Sequence, residues 1–252
     1  MSVLVINLDR DTERLATFLQ TNGHVADIVR FPAVDGRLVD RNALMQRGMI
    51  GPELSYGAGI LGCALSHLEL WRRAVASNAS TTIVEDDAIL ARDFTPAHVA
   101  LLAILPQDWG IVLWGWNFDR AVWAEIPEGV ARSVVQFDQD DLRNNLQAFR
   151  RQLVPHAPIR LRHCFGSLAY TVSPHGAQTL LDTCLPLTDR FIGFPGFRIG
   201  VANDGIDCLM NLAYPRMKAY VCMPPLAVSE NRAEHSRTVP DFVPSKVAPR
   251  PR

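Results

Sequence analysis

The sequence predicts an α/β protein with a mainly parallel sheet. Short apolar runs such as Val3-Leu4-Val5-Ile6 and residues 110–114 stop abruptly at charge or turn residues, as strands buried on both faces do. Between them lie stretches with helical periodicity, of which 62–77 is the clearest. The two kinds alternate along the chain, the pattern of strands and helices wound into one sheet. With 252 residues, 48% apolar and 20% charged, the chain is long enough to bury a core without disulfide or metal staples.

In order, Val3-Leu4-Val5-Ile6 is the first strand. Asp11 or Thr12 caps a helix whose apolar stripe is Leu15, Phe18 and Leu19 and which Gly23 stops. Residues 26–31 form a second strand, ended by Pro32. Ala33-Val34-Asp35-Gly36 is a turn, and a polar, irregular stretch runs from it to about Ser55. In 62–77, Ala64, Leu68, Trp71 and Val75 fall on one helix face. Thr81-Thr82-Ile83-Val84 is a β-branched strand that runs into Glu85-Asp86-Asp87. Thr95-Pro96 starts a helix through Leu105, and 110–114 is another strand.

Residues 117–162 are polar and weakly periodic, with Arg143, Arg150, Arg151, Arg160 and Arg162 in the second half. They read as an insertion rather than a separate domain. Residues 167–172 are a strand, Ser173-Pro174 caps a helix through Leu181, 204–213 is a short helix capped by Asp204, and 219–223 is a strand. Prolines 240, 244, 249 and 251 predict a flexible tail. The organisation is one domain over 1–239, with the 117–162 insertion, and a proline-rich tail over 240–252.

A net charge of −1 and a pI of about 6.6 argue against nucleic acid as a partner. The opening apolar run meets charge by position 9, which is not a signal-peptide pattern. The longest charge-free stretch, 163–181, is broken by Ser, Thr, His, Pro and Gly and does not read as a membrane span. Five cysteines without a Cys-x-x-Cys pair suit reduced thiols in the cytoplasm.

Three adjacent carboxylates at a strand end are the sharpest chemical feature. Strand alternation puts Glu85 and Asp87 on one side and Asp86 on the other. Such a cluster suits a hard divalent cation, Mn²⁺ or Mg²⁺; a solvated acidic turn is the plain structural alternative. Cys63 and His67 share a helix face, but no further pair completes a zinc site, and a buried thiol with a hydrogen-bonded His accounts for them equally. Asp204 and Asp207 are general-base candidates. Asp204 has a capping role to fill, which favours Asp207 as the base. Trp116, at a strand exit, is the candidate for stacking on a ligand ring. His235 is either a surface residue or a third metal ligand.

Several segments occur together in one order. They are Val5-Ile6-Asn7-Leu8-Asp9-Arg10 with Arg14, Phe31-Pro32-Ala33-Val34-Asp35-Gly36, Gly59-Ile60-Leu61-Gly62-Cys63-Ala64-Leu65-Ser66-His67 with Trp71, and Val84-Glu85-Asp86-Asp87. Gly166-Ser167-Leu168-Ala169-Tyr170, with Ser173, Gly176 and Ala177, and then residues 204–207 follow. Spread over about residues 3–230, they resemble glycosyltransferase family 25, the lipopolysaccharide and lipooligosaccharide galactosyltransferases with relatives among collagen galactosyltransferases.

The resemblance implies a GT-A-like, Rossmann-type fold with a mixed, mainly parallel sheet flanked by helices. It implies a metal-dependent enzyme that moves a hexose, galactose by the family's commonest association, from a UDP-sugar donor to a glycan or glycolipid acceptor, with inversion. Its donor-binding candidates are Asn7, Leu8, Arg10, Arg14, Asp35, Gly62, Ser66, His67, Glu85 and Asp86. Asp87 is the first-choice ligand for Mn²⁺ or Mg²⁺, with Glu85 and His235 in support. The arginines of 143–162 suggest peripheral contact with an anionic membrane at its cytoplasmic face or contact with a phosphorylated glycan acceptor.

A non-catalytic nucleotide-sugar or glycan binding module of the same fold is the alternative, but it has little need for three adjacent carboxylates. A metal-dependent nucleotidyltransferase would show a Gly-rich phosphate loop near the first strand, and none is there.

Overall fold

The computed structural model describes residues 2–193 and 200–231. β1 (Val3–Asn7), α1 (Thr12–Thr21) and β2 (Ile28–Pro32) open the chain, and α2 (Arg41–Gln46) and the long α3 (Ala58–Ser77) follow. Then come β3 (Thr81–Glu85), the short β4 (Ile89–Leu90), α4 (Phe94–Ile104) and β5 (Trp109–Gly115). The middle of the chain supplies β6 (Val122–Glu125), β7 (Arg132–Val135), α5 (Gln139–Asn144), α6 (Leu146–Arg151), β8 (Ala157–His163), β9 (Ala169–Val172) and α7 (Pro174–Cys184). β10 (Phe191–Gly193), β11 (Gly200–Ala202), α8 (Ile206–Ala213), β12 (Lys218–Met223) and β13 (Ala227–Val228) complete it.

The central sheet has the order β2-β1-β3-β9-β5-β12-β8-β6-β7. β2, β1 and β3 run parallel, as do β5 and β12, while β9 is antiparallel to both of its neighbours. Followed across the sheet, β2, β1, β3, β5, β12 and β6 point one way and β9, β8 and β7 the other. The α/β class with a mixed sheet flanked by helices is therefore as the sequence predicts. The polar 117–162 stretch does not stand apart, because β8, β6 and β7 extend the sheet beyond β12. Among the described residues no helix is long and apolar enough to cross a membrane.

Several boundaries differ from the sequence reading. α3 begins at Ala58, four residues before the expected 62, because Gly57 is extended and the apolar pattern continues back through Leu61. Of its predicted stripe, Ala64, Leu68 and Trp71 are fully buried, and Val75 is only packed against the core. The expected irregular stretch contains α2, whose Asp40 side chain accepts from the backbone N–H groups of Asn42 and Ala43 at 2.9 and 3.2 Å. A six-residue helix is too short to show a period. α4 starts at Phe94 with Asp93 at its N-cap, so Pro96 lies inside the first turn, where its missing N–H is no loss. Ser173 caps α7 as expected, its hydroxyl accepting from Gly176 N–H at 3.0 Å. α8 begins at Ile206 with Gly205 at its N-cap, so Asp204 is not the cap residue. The 240–252 tail lies outside the described residues.

A buried polar knot ties the sheet's centre to α4. Thr171 Oγ1 on β9 lies 2.8 Å from Thr82 Oγ1 on β3 and 2.9 Å from His98 Nε2 on α4, and it accepts from Trp114 Nε1 on β5 at 2.8 Å. Burial pushes the His98 imidazole down to about 4, and His163 shifts down to about 4 with burial as the first cause. An imidazole kept neutral when folded, but titrating near 6.5 when unfolded, gives stability that is complete above that pH and lost as pH falls towards 4. The unfolding free energy from urea titrations is expected to decline between pH 7 and pH 4, by up to about 3 kcal/mol per such group, with the midpoint falling in step. His98→Gln should remove roughly half of that slope. A midpoint that stays flat over this range would contradict the buried neutral state.

Candidate active site

The parallel strands β1, β2 and β3 end side by side, and the chain turns away after each. Their carboxyl ends and the first turns of α3 enclose a cavity of about 310 Å³. This is where an α/β sheet places a ligand. Of the sequence candidates, Asn7, Leu8, Arg10, Arg14, Asp35, Ser66, His67, Glu85, Asp86 and Asp87 line it. Asp204, Asp207 and Gly62 are not among its lining residues. His235 lies outside the described residues.

The acidic triplet does not alternate as a strand would. β3 ends at Glu85, and the N–H of Ala88 closes a turn onto the Glu85 carbonyl at 3.1 Å, so all three carboxylates line one cavity. Their surroundings differ. Asp86 accepts from Asn7 Nδ2 at 2.7 Å and from Arg14 Nε at 3.0 Å, and it pairs with a second nitrogen of the same guanidinium. Glu85 Oε1 accepts from the Ser167 hydroxyl at 2.6 Å and lies 3.7 Å from His67 Nε2. Burial acts to raise the Glu85 pKa, but His67 and Ser167 outweigh it and hold the group below its ordinary value. Asp87 opens onto the cavity but is crowded by protein around it. That desolvation, reinforced by the charges of Glu85 and Asp86 and opposed by Arg14, pushes its carboxyl up to about 7.

The basic side chains around the cavity are held in place. Arg10 pairs with Asp35, which also accepts from Arg37 Nε at 3.0 Å and from another Arg37 nitrogen at 2.7 Å. These bonds, Arg37's first, hold the Asp35 carboxyl well below the carboxylate range. Asn7 is buried. It donates to the Asp11 carbonyl at 3.0 Å and accepts from Arg30 Nε at 3.1 Å. The turn after β2 rests directly on α3. A Cβ on Gly36 would lie 1.9 Å from the Ala58 carbonyl oxygen, and one on Gly62 would lie 2.4 Å from that of Val34. Ser66 completes the seam, accepting from Val34 N–H at 2.9 Å and donating to the Gly62 carbonyl at 2.7 Å. Gly62 therefore builds the wall from behind.

Residues beyond the sequence candidates belong to the same structure. Tyr170 Oη lies 2.8 Å from His67 Nδ1 and accepts from Trp71 Nε1 at 2.8 Å, which orients the imidazole. Ligand atoms of Cys63, His67 and Glu85 lie within 4.8 Å of one another, so Glu85 is the third partner that helix spacing alone did not reveal. Gly166 N–H donates to Asp207 Oδ2 at 2.8 Å, next to the Ser167 that holds Glu85. Asp207 is therefore anchored, and burial is the main cause raising its pKa. Asp204 accepts from the Cys208 thiol at 2.9 Å. Ser167 and Tyr170 both fall in the 166–170 segment that carries the family resemblance.

One sequence expectation is overturned here, and the basic patch proves smaller than the sequence suggests. Trp116 is buried, stacked on Phe118 at 4.8 Å between ring centroids, and is not a ligand platform. Four of the five arginines of 143–162 are engaged by the chain itself, while Arg151 is exposed. Arg143 donates to the carbonyls of Glu230 and Asn231, Arg150 to that of Thr21, and Arg160 to those of Met217 and Ala219, while Arg162 pairs with Glu125. These four do not form an open basic face.

Arg14 is the charge that makes three adjacent carboxylates tolerable. Arg14→Gln is expected to destabilise the fold by about 1.5–3 kcal/mol at pH 7, the range for hydrogen bonds to charged groups. The deficit should shrink in acid, where the carboxylates take up protons. Urea unfolding of wild type and variant at pH 7 and pH 4 checks both points, and an equal deficit at the two pH values would show that Arg14 acts by packing alone.

Comparison with known proteins places the chain in a family. A family model described as glycosyltransferase family 25 (LPS biosynthesis protein) matches residues 1–191, which include α3, the triplet and the 166–170 segment. An Anopheles gambiae protein named glycosyltransferase 25 family member is 32% identical over 101 residues, which is 36% of this chain and 17% of that protein. The match thus spans a small part of the relative's length. The family match covers most of this chain, and the chain belongs to glycosyltransferase family 25.

Proposed function

We propose that this chain is a glycosyltransferase that moves a hexose, galactose by the resemblance, from a UDP-sugar to a carbohydrate acceptor. Lipopolysaccharide or another surface glycan is the acceptor class, with inversion at the anomeric carbon and Mn²⁺ or Mg²⁺ as cofactor. The observation that carries the reading is that Glu85, Asp86 and Asp87 together line a 310 Å³ cavity at the carboxyl ends of three parallel strands, with Asp87 facing the opening. A cavity carboxylate short of positive charge, as Asp87 is, fits a hard cation with oxygen preference, and Glu85 beside it offers a second oxygen. When bound, the cation supplies electrostatic stabilisation of the departing diphosphate.

The chain's own residues supply the rest. Arg10 and Arg14 contact the nucleotide's base or diphosphate. Asp35 and Asp86 already hold them in place, so little side-chain freedom is lost on binding. Asn7 keeps Asp86 turned towards Arg14 and away from the cation ligands. Asp207 accepts the proton of the acceptor hydroxyl as that oxygen attacks. Burial raises its proton affinity, which suits a base.

A thermal-shift panel of UDP-, GDP- and CMP-sugars, with and without Mn²⁺, tests the donor class. Only the UDP-sugar with cation should stabilise strongly, by about 2.7 kcal/mol at a hundredfold excess over Kd. Asp87→Ala should fold normally and lose the cation-dependent part of that shift. No shift with any nucleotide sugar would sink the reading.

The base assignment has its own test. Asp207→Asn should keep near-normal donor affinity and slow transfer by ~10²-fold or more. Asp204→Asn should change little, because Asn retains an acceptor for the Cys208 thiol. The opposite pattern in single-turnover assays would assign the base to Asp204.

A further inference from the structure

We infer that Cys63, His67 and Glu85 form a three-ligand site for Zn²⁺ whose fourth position faces the cavity. The inference does not rest on the sugar-transfer reading, although Glu85 and His67 also stand among the donor-binding candidates. Cys63 and His67 lie one helical turn apart on α3, the spacing that presents two ligands on one face, and Glu85 arrives from the end of β3. Ligand atoms of all three lie within 4.8 Å of one another.

The distances favour an ion over a hydrogen bond. Among the described residues, fully buried His67 Nε2 has no partner within hydrogen-bond distance, and Glu85 Oε1 is 3.7 Å away. That is too long for a hydrogen bond. It is within a few tenths of an ångström of the separation of a nitrogen and an oxygen ligand on one tetrahedral zinc, about 3.3–3.6 Å for bonds of about 2.0–2.2 Å. Tyr170 Oη, 2.8 Å from Nδ1, is the outer partner that a metal-binding imidazole uses to fix its orientation. The ion would take the place of the Nε2 proton that otherwise faces Glu85, with the imidazole in the tautomer that donates Nδ1–H to Tyr170.

The donor set selects the metal. One sulfur, one imidazole nitrogen and one carboxylate oxygen suit Zn²⁺ and are a poor match for Mg²⁺ or Mn²⁺, which the oxygen-only Asp87 side of the cavity suits. On binding, the Cys63 thiol gives its proton to solvent. Thiolate and carboxylate then balance the dication, and the imidazole stays neutral. Cys63, Glu85 and Asp87 line the same cavity, so Zn²⁺ here would draw Glu85 away from a hard cation.

Co²⁺ is the spectroscopic stand-in for Zn²⁺ in the test. Titrated into the reduced full chain, it should give a thiolate-to-cobalt charge-transfer band and tetrahedral ligand-field bands, both removed by added Zn²⁺. Cys63→Ser should abolish the charge-transfer band. Tyr170→Phe, which removes the group that positions His67, should weaken cobalt binding by about 10–100-fold while the band keeps its shape. No band in folded wild type at saturating Co²⁺, or a band that survives Cys63→Ser, overturns the inference.

Should Cys63→Ser fail to fold, native-state alkylation of wild type gives a second readout. Zn²⁺ should slow iodoacetamide labelling of Cys63, followed by peptide mass, and an unchanged rate overturns the inference. The cobalt band needs no nucleotide and should persist in Asp87→Ala. A chain that binds no UDP-sugar can therefore still show it, and the two readings fail separately.

Discussion

Three adjacent carboxylates at the end of a buried strand repel one another, and the site is arranged around how that repulsion is divided. Asp86 receives a full counter-charge from Arg14 and a neutral donor from Asn7. Glu85 receives a hydroxyl and the neighbourhood of an imidazole. Asp87 receives neither and faces the cavity. The same bonds fix the architecture, since Arg14 comes from α1, Asn7 ends β1, and Arg30 of β2 braces Asn7 from the other side. Compensating Asp86 therefore joins three parallel strands and a helix at the rim where a ligand would sit.

α3 backs that rim with two faces of different character. One buries Ala64, Leu68 and Trp71 in the core, and the other brings Cys63, Ser66 and His67 to the cavity. Tyr170 joins the faces, since its hydroxyl meets Trp71 on the core side and His67 on the cavity side. The helix can lie this close to the turn after β2 only because Gly36 and Gly62 both lack a Cβ. A substitution at either glycine would move the cavity wall as well as strain the packing.

β1, β2, β3, β5, β9 and β12 were legible as apolar or β-branched runs bounded by charged or turn-forming residues, whereas β6, β7 and β8 were hidden in a polar stretch; α3 and α7 were legible because their apolar spacing or cap is strong. The cavity was legible for a related reason: the candidate residues follow directly on β1, β2 and β3, and parallel strands end together. What the sequence hid is long-range or too short to be periodic. Glu85 completes the Cys63–His67 pair from another element, and no spacing rule links positions 67 and 85. The alternation of Glu85, Asp86 and Asp87 failed because the chain leaves the strand at Glu85. The arginines of 143–162 looked like a surface because charge suggests solvent, yet long side chains can return to cap carbonyls of distant segments. Trp116 stands at a strand exit, but aromatic neighbours from the same stretch cover it.

Gly166 and Ser167 link two acidic groups from distant parts of the chain. Gly166, with φ of +95°, holds Asp207 of α8 through its N–H, and the next residue holds Glu85 of β3 through its hydroxyl. Two carboxylates from distant parts of the chain are thus fixed by consecutive residues just before β9, the strand that pairs with β3. For stability alone this is a poor solution. Burial raises the proton affinity of Asp207 and Asp87, and neutral or apolar side chains would fill the same space without that penalty. Carboxylates kept where desolvation works against them, and fixed by neutral donors rather than matched by cations, are what a site needs to receive positive charge or a proton from outside.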